Sequence, residues 1–180
     1  NNRKTSLQFI QQEMNNITAL SNETCQLGIQ SRNMVLYIAK KDSPQPIRLM
    51  SSVGKQLPLY CTGLGRALLA YKSEEEIRNL FPEVLTAYTP HTIATINDLL
   101  KELELTRQRG DAVEHEETNL MVNCIAVSLD YNNAPIAALS ISIPTFRISE
   151  SKEKEAVQIL WEAKQRIETH FKMYGVDFGN

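Results

Sequence analysis

What this sequence lacks already narrows what it can be. No run approaches about 18 consecutive apolar residues, so no segment reads as a membrane-spanning helix, and the N-terminus has no signal-peptide core. Cysteine is scarce: Cys25, Cys61 and Cys124 are an odd number and form no C-x-x-C pair. A disulfide framework is therefore not expected, and a reducing cytoplasm is the expected compartment. Seven glycines and seven prolines in 180 residues are too few for a linker or a low-complexity chain. Neither charge sign dominates, since 19 Lys and Arg oppose 21 Asp and Glu for a net charge of −2. A stand-alone nucleic-acid binder carries a basic face for the phosphates, and this chain offers none. Missing too are the G-x-S-x-G elbow, the H-E-x-x-H helix, a Walker loop and any zinc-ligand spacing. No metal and no cofactor is expected.

What remains is the composition of one globular domain, long enough to bury about 70% of its unfolded surface. The chain begins Asn1-Asn2-Arg3 without an initiator Met, which reads as a piece of something longer. Leu7, Ile10, Met14, Ile17 and Leu20 recur at helical spacing over residues 3–20, a narrow stripe suited to packing on the domain or pairing with another helix. From Cys25 the period changes to two, and residues 25–30 and 34–39 read as a hairpin turning at Ser31-Arg32-Asn33. A third strand is expected over 47–53, then a loop over 54–59. Thr62 is a natural N-cap for an Ala- and Leu-rich helix, and Ser73 with Glu76 forms a capping box for a short helix ending at Leu80. Residues 95–109 form another helix, stopped by Gly110. Residues 112–117 read as a short polar strand. Two apolar strands, 124–129 and 134–143, are joined through Asp130-Tyr131-Asn132-Asn133. A last helix runs from Ser149 to about Met173, with Val157, Leu160, Trp161, Ile167 and Phe171 inward. Strands and helices mix without strict βαβ alternation, which indicates an α+β domain with an antiparallel sheet flanked by helices.

Three segments could carry chemistry. Thr62-Gly63-Leu64-Gly65 opens a helix, whose first amides lack intrahelical partners and suit an anion, and the glycines allow close backbone approach. A mere helix start is the alternative. Asp111 to Glu117 concentrates acidic groups; as a strand it would put Glu114 and Glu116 on one side, His115 and Glu117 on the other. An exposed edge is the bland reading, and a metal held by His115, Glu117 and Cys124 is conceivable but matches no ligand spacing. Cys61 or Cys124 with His91 or His115 could form a thiol nucleophile, although cysteines in apolar strands are usually packing residues. Finally, Ser140 and Ser142 share one face of a strand whose other face is Leu139, Ile141 and Ile143. Their hydroxyls either meet a polar ligand or face solvent. His170 is placed to meet the C-terminal dipole of the last helix.

These segments resemble two signatures of the IclR-type bacterial transcription regulators. Residues 54–71, GKQLPLYCTGLGRALLAY, are similar to the family's G…PLHATALGKALLA. Residues 109–145 are similar to RGYAVDDEE…G(V/L)RCIAAPI…AALSVSGPT, running here as RGDAVEHEE, then NCIAV, then AALSISIPT. The order and spacing match, and the resemblance spans essentially residues 1–175. It implies a C-terminal effector-binding domain with a GAF- or PAS-like curved antiparallel sheet and a pocket for a small organic acid. In the family a winged helix-turn-helix precedes this domain and binds DNA. The resemblance thus assigns residues 1–22 to the linker helix from that module and 23–175 to the effector-binding domain.

Carried over by position, the family pocket comprises Thr62, Gly63, Leu64, Glu114, Cys124, Ser140 and Ser142. Glu114 stands for Asp, Gly63 for Ala, Asn123 for Arg, Ile143 for the Gly of Ser-Gly-Pro, and Tyr60-Cys61 for His-Ala. The implied function is sensing of a sugar acid or keto acid, by a repressor of carbohydrate or organic-acid catabolism genes. DNA would be reached only through the absent N-terminal module, the chain would be a homodimer or homotetramer, and no membrane is involved. An enzyme is not expected. The competing readings are a cysteine-nucleophile enzyme and a ligand-free oligomerisation module.

Overall fold

The structure, a computed structural model, describes residues 4–49 and 52–178. In chain order the elements are α1 (Ser6–Ser21), β1 (Thr24–Ser31), β2 (Met34–Lys41), β3 (Gln56–Pro58), α2 (Gly63–Leu69), α3 (Glu74–Leu80), α4 (Ile96–Arg109), β4 (Ala112–His115), β5 (Val122–Tyr131), β6 (Ala134–Pro144), one 3-10 turn (Thr145–Arg147) and α5 (Glu150–Tyr174). The strands form one antiparallel sheet in the order β3-β2-β1-β6-β5-β4. This is the α+β architecture the sequence predicts.

Strand alternation gives the sheet two unlike faces. Cys25, Leu27, Ile125, Val127, Leu129, Leu139, Ile141 and Ile143 point to one side and form a continuous apolar core with α1 and α5. Each such fully buried aliphatic side chain contributes about 1.5–3 kcal/mol of transfer free energy. The opposite face meets α2, and there Val35, Tyr37, Ala126 and Ala138 pack with Leu64, Ala67 and Leu68. Both faces are covered, so Ser140 and Ser142 are buried rather than turned to water.

Local chemistry sets the boundaries. Thr5 and Gln8 form a capping box at α1, and Ser73 and Glu76 one at α3; Thr95 and Ser149 cap α4 and α5. Gly110 ends α4 at φ +86°, where an L side chain would be strained. The β5–β6 hairpin turns at Asn132 and Asn133, both at positive φ, and β1–β2 turns at Arg32, φ +60°. These are the turn conformations that match the twist of paired strands.

Three expectations shift. The third strand is Gln56–Pro58, inside the segment expected to be a loop, and the described part of 47–53 is not strand; Met50 and Ser51 lie outside the described residues. Gly54, at φ +92°, turns the chain back so that its amide donates to the Tyr37 carbonyl, and Pro58 sits on the sheet edge, where a missing N–H costs nothing. The α1 stripe runs through Ile10, Met14, Ile17 and Ser21, leaving Leu20 59% exposed. That follows from the period, because a step of four residues from Ile17 stays closer to the buried line than a step of three. On α5 the inward line is Ala156, Leu160, Ala163, Ile167 and Phe171, with Val157 and Trp161 only partly buried at its flank. His170 lies near the end of α5, and its ring stacks on Phe9 with centroids 4.3 Å apart and lies 4.8 Å from that of Tyr174. The helix assigned to a linker, α1, is thus packed into the same core as α5 and the sheet.

Candidate functional site

The polar side chains on the α2-facing side of the sheet follow from strand register. Glu114 lies opposite Cys124, Cys124 opposite Ser142, and Ser142 opposite Thr24; one row along, Ser140 is opposite Gln26. Directly paired residues share a face, so four strands contribute to one polar row in an otherwise apolar layer. Ser140 Oγ donates to Gln26 Oε1 at 2.8 Å and Ser142 Oγ to the same oxygen at 3.0 Å. Cys124 Sγ lies 3.2 Å from Ser142 Oγ. Glu114, 1% exposed, accepts from the Glu117 amide at 2.8 Å.

Helix α2 begins above this row. Thr62 Oγ1 accepts from the Gly65 amide at 3.1 Å and donates to the Pro58 carbonyl at 2.8 Å, so its hydroxyl is committed to the cap. Gly63 and Leu64 carry the first two helix amides, which no preceding turn can satisfy. The glycines have a structural duty where the sequence suggests ligand approach. A Cβ on Gly65 would lie 2.0 Å from the Leu59 carbonyl oxygen, and one on Gly63 would lie 3.1 Å from Cys124 Cβ. Their absence lets α2 settle onto the sheet.

The acidic segment is not the regular strand expected. β4 ends at His115, and Glu116 adopts φ +57°, which breaks the alternation and swings Glu117 to the inner side. There Glu117 Oε1 accepts from Arg66 Nη2 at 2.5 Å and from the Ile93 amide at 2.9 Å. Arg66, 1% exposed, also donates to the carbonyls of Tyr60 and Val113. Glu114 and Glu117 therefore sit together, while His115 faces α5 and pairs with Glu153.

Electrostatics follow burial. Desolvation pushes the Glu114 carboxyl up to about 7; the Glu117 amide opposes this, the Glu117 carboxylate adds to it and Arg66 opposes it. Burial also raises the Cys61 thiol to about 12 and holds Cys25 and Cys124 well above the ordinary thiol range. Tyr37, on the same face, is raised by burial and by Cys124, Glu114 and Cys61 nearby. Lys55 lies with Nζ 4.6 Å from the Tyr37 ring centroid, and burial lowers its pKa while Cys124 raises it.

Of the residues the sequence singles out, Glu114, Cys124, Ser140 and Ser142 come together beneath Thr62, Gly63 and Leu64. His91 is exposed on the loop before α4, and His115 is on the far side of the sheet. Neither is brought to Cys124. The metal grouping of His115, Glu117 and Cys124 is dispersed, and among the described residues no cluster of three His, Cys, Asp or Glu side chains could hold a metal ion. Gln26, Tyr37, Lys55 and Arg66 join the site without having been singled out by the sequence. A polar Gln26 between Cys25 and Leu27 is a visible signal, but only the β1–β6 register shows what it faces.

The sequence and the fold are similar to those of known proteins. The family model described as the bacterial transcriptional regulator IclR C-terminal matches residues 5–169. The chain is 38% identical over 157 residues to the HTH-type transcriptional regulator KdgR of Dickeya chrysanthemi, covering 86% of this chain and 52% of that protein. It is 32% identical over 158 residues to the HTH-type transcriptional repressor AllR of Escherichia coli K12, covering 87% and 58%. The chain thus spans little more than half the length of these two relatives. Among solved structures, the C-terminal domain of E. coli KdgR superimposes with a TM-score of 0.82 at 32% identity, covering 91% of this chain and 96% of that one.

Proposed function

Because the chain belongs to the IclR family of bacterial transcription regulators and corresponds to its C-terminal domain, we propose that it senses a small carboxylate, a sugar acid or a keto acid. The observation that carries this is the row of buried and half-buried polar groups, Glu114, Cys124, Ser142, Ser140 and Gln26, lying under the first amides of α2 in a layer otherwise largely apolar. Burying so many polar atoms is costly unless each is paired, and here they are paired largely with one another. An entering ligand replaces those pairings. Its carboxylate accepts from Gly63 and Leu64 and from the two serines, and a hydroxyl or carbonyl oxygen meets Glu114, which donates when protonated and accepts when ionised. A few charge-assisted hydrogen bonds at about 1.5–3 kcal/mol each, less ordering costs, give affinities of about micromolar to millimolar.

In the proposed whole protein, the sensor controls a DNA-binding helix-turn-helix region, as the names of its relatives describe for them, within a homodimer or homotetramer. Effector binding shifts that region only if the effector prefers one of two arrangements. Relief of repression is the direction proposed. The cysteine-enzyme reading is disfavoured, because all three thiols are held protonated and no histidine stands beside one.

Isothermal calorimetry of the chain with pyruvate, glyoxylate, D-gluconate and D-galacturonate tests the proposal. Binding of at least one acid that is lost in Ser140→Ala/Ser142→Ala supports it. No heat with any of the four, or binding indifferent to the double substitution, counts against it.

A further inference from the structure

We infer that Lys55 is the residue that makes this site selective for a negatively charged effector: its ammonium, held above the Tyr37 ring, pairs with the effector carboxylate. The inference rests on the sensor reading above and adds the one component that reading lacks, a cation at the site.

The charge balance requires one. Arg66 is bonded to Glu117 and to two main-chain carbonyls, so its charge is matched first by Glu117. Glu114 contributes either no charge or a negative one. A carboxylate that displaces the internal pairings beside Glu114 therefore meets neutral or repulsive surroundings, which two amides and two hydroxyls only partly offset. Lys55 supplies the missing positive charge from the far side of the row.

Its position is fixed by the backbone. The Tyr37 amide donates to the Lys55 carbonyl at 3.0 Å, and the Gly54 amide donates to the Tyr37 carbonyl at 2.8 Å, so Lys55 is pinned beside β2 just before β3. From there the side chain lies over the ring, with Nζ 4.6 Å from its centroid. That is a cation–π arrangement, which holds an ammonium without consuming its charge. Tyr37 is on the α2-facing side of the sheet, and Lys55 and Cys124 are close enough to act on each other electrostatically; Cys124 is in turn bonded to Ser142. Lys40, Lys152 and Lys164 each reach a carboxylate, whereas Lys55 forms no ion pair among the described residues. A half-buried ammonium over an aromatic face, with no counter-ion among the described residues, is a preorganised half of an ion pair.

The test is calorimetry of the chain with pyruvate and D-gluconate beside their uncharged counterparts pyruvamide and D-gluconamide, for wild type, Lys55→Met, Lys55→Gln and Lys55→Arg. Wild type should prefer acid to amide. Lys55→Met and Lys55→Gln should weaken acid binding by about 10–100-fold, the worth of one charge-assisted contact, and bring acid and amide together, while Lys55→Arg keeps the preference. Using both Met and Gln variants guards against one of them misfolding, which unliganded melting curves report. Acid binding and acid-over-amide preference unchanged in Lys55→Met or Lys55→Gln overturns the role of Lys55 and leaves the sensor reading standing. Wild type binding neither acid nor amide sinks the sensor reading, and this inference with it.

Discussion

Arg66 Nη2 and Glu117 Oε1 meet at 2.5 Å with side chains 1% and 8% exposed, an ion pair sealed between α2 and the segment after β4. It ties three parts of the chain together, because Glu117 also accepts from the Ile93 amide and Arg66 also donates to the carbonyls of Tyr60 and Val113. Removing one partner strands the other charge in a desolvated place. Glu117→Gln is expected to destabilise the fold by about 3–5 kcal/mol, read from urea unfolding. A loss below about 1 kcal/mol would place the pair among weak surface bridges.

Glu114 gives the domain a pH-dependent stability of definite sign. Its carboxyl titrates near 7 in the folded state against 4.5 in an unconstrained chain, so between these values the folded form keeps a proton that the unfolded form has released. Stability therefore falls as pH rises from about 4.5 to about 7, by on the order of 3 kcal/mol if this group acted alone. The groups facing it are Glu117, Arg66, Cys124, Tyr37 and Cys61, and Glu114→Gln leaves each of these residues in place. Melting curves at pH 5 and pH 8 should show a drop for wild type that is much reduced in Glu114→Gln. Equal slopes in the two proteins would place the titrating group elsewhere.

The two glycines of α2 should respond very differently to alanine. At Gly65 the new Cβ would sit 2.0 Å from a main-chain oxygen, which cannot yield without moving α2. Gly65→Ala is expected to cost about 3 kcal/mol or more. At Gly63 the contact is 3.1 Å to Cys124 Cβ, which needs a shift of a few tenths of an ångström. Gly63→Ala should cost less than about 1 kcal/mol, helped by the better helix propensity of alanine. Similar midpoints for both variants would contradict the packing described.

All three thiols should be inert in the native protein. With Cys25, Cys61 and Cys124 raised by burial, iodoacetamide at pH 7.5 should alkylate native protein at least about 100-fold more slowly than the urea-unfolded chain. Rapid labelling of one native cysteine would revive the nucleophile reading.

Much of the fold is legible in the sequence. Capping boxes, the Gly110 stop and the Asn132-Asn133 hairpin are written in short stretches whose chemistry is complete within four or five residues. The candidates Glu114, Cys124, Ser140 and Ser142 are legible through signature resemblance, since spacing alone leaves Ser140 and Ser142 undecided between ligand and solvent. Glu117 escapes the strand pattern for a local reason: one residue at positive φ, Glu116, undoes the alternation on which that pattern relies. The third strand escapes it because Gln56–Pro58 is recruited by β2, a partner it meets only in the fold.

Which segments are helix or strand, and which side of each is apolar, is settled along the chain, because propensity, capping and periodicity act between near neighbours. That Gln26 takes both serine protons, that Arg66 closes on Glu117 and that Lys55 stands over Tyr37 is settled only in three dimensions. Those meetings join residues 18 to 116 positions apart. They depend on strand register and helix docking, which are fixed by the burial of the whole sheet rather than by any local run of residues.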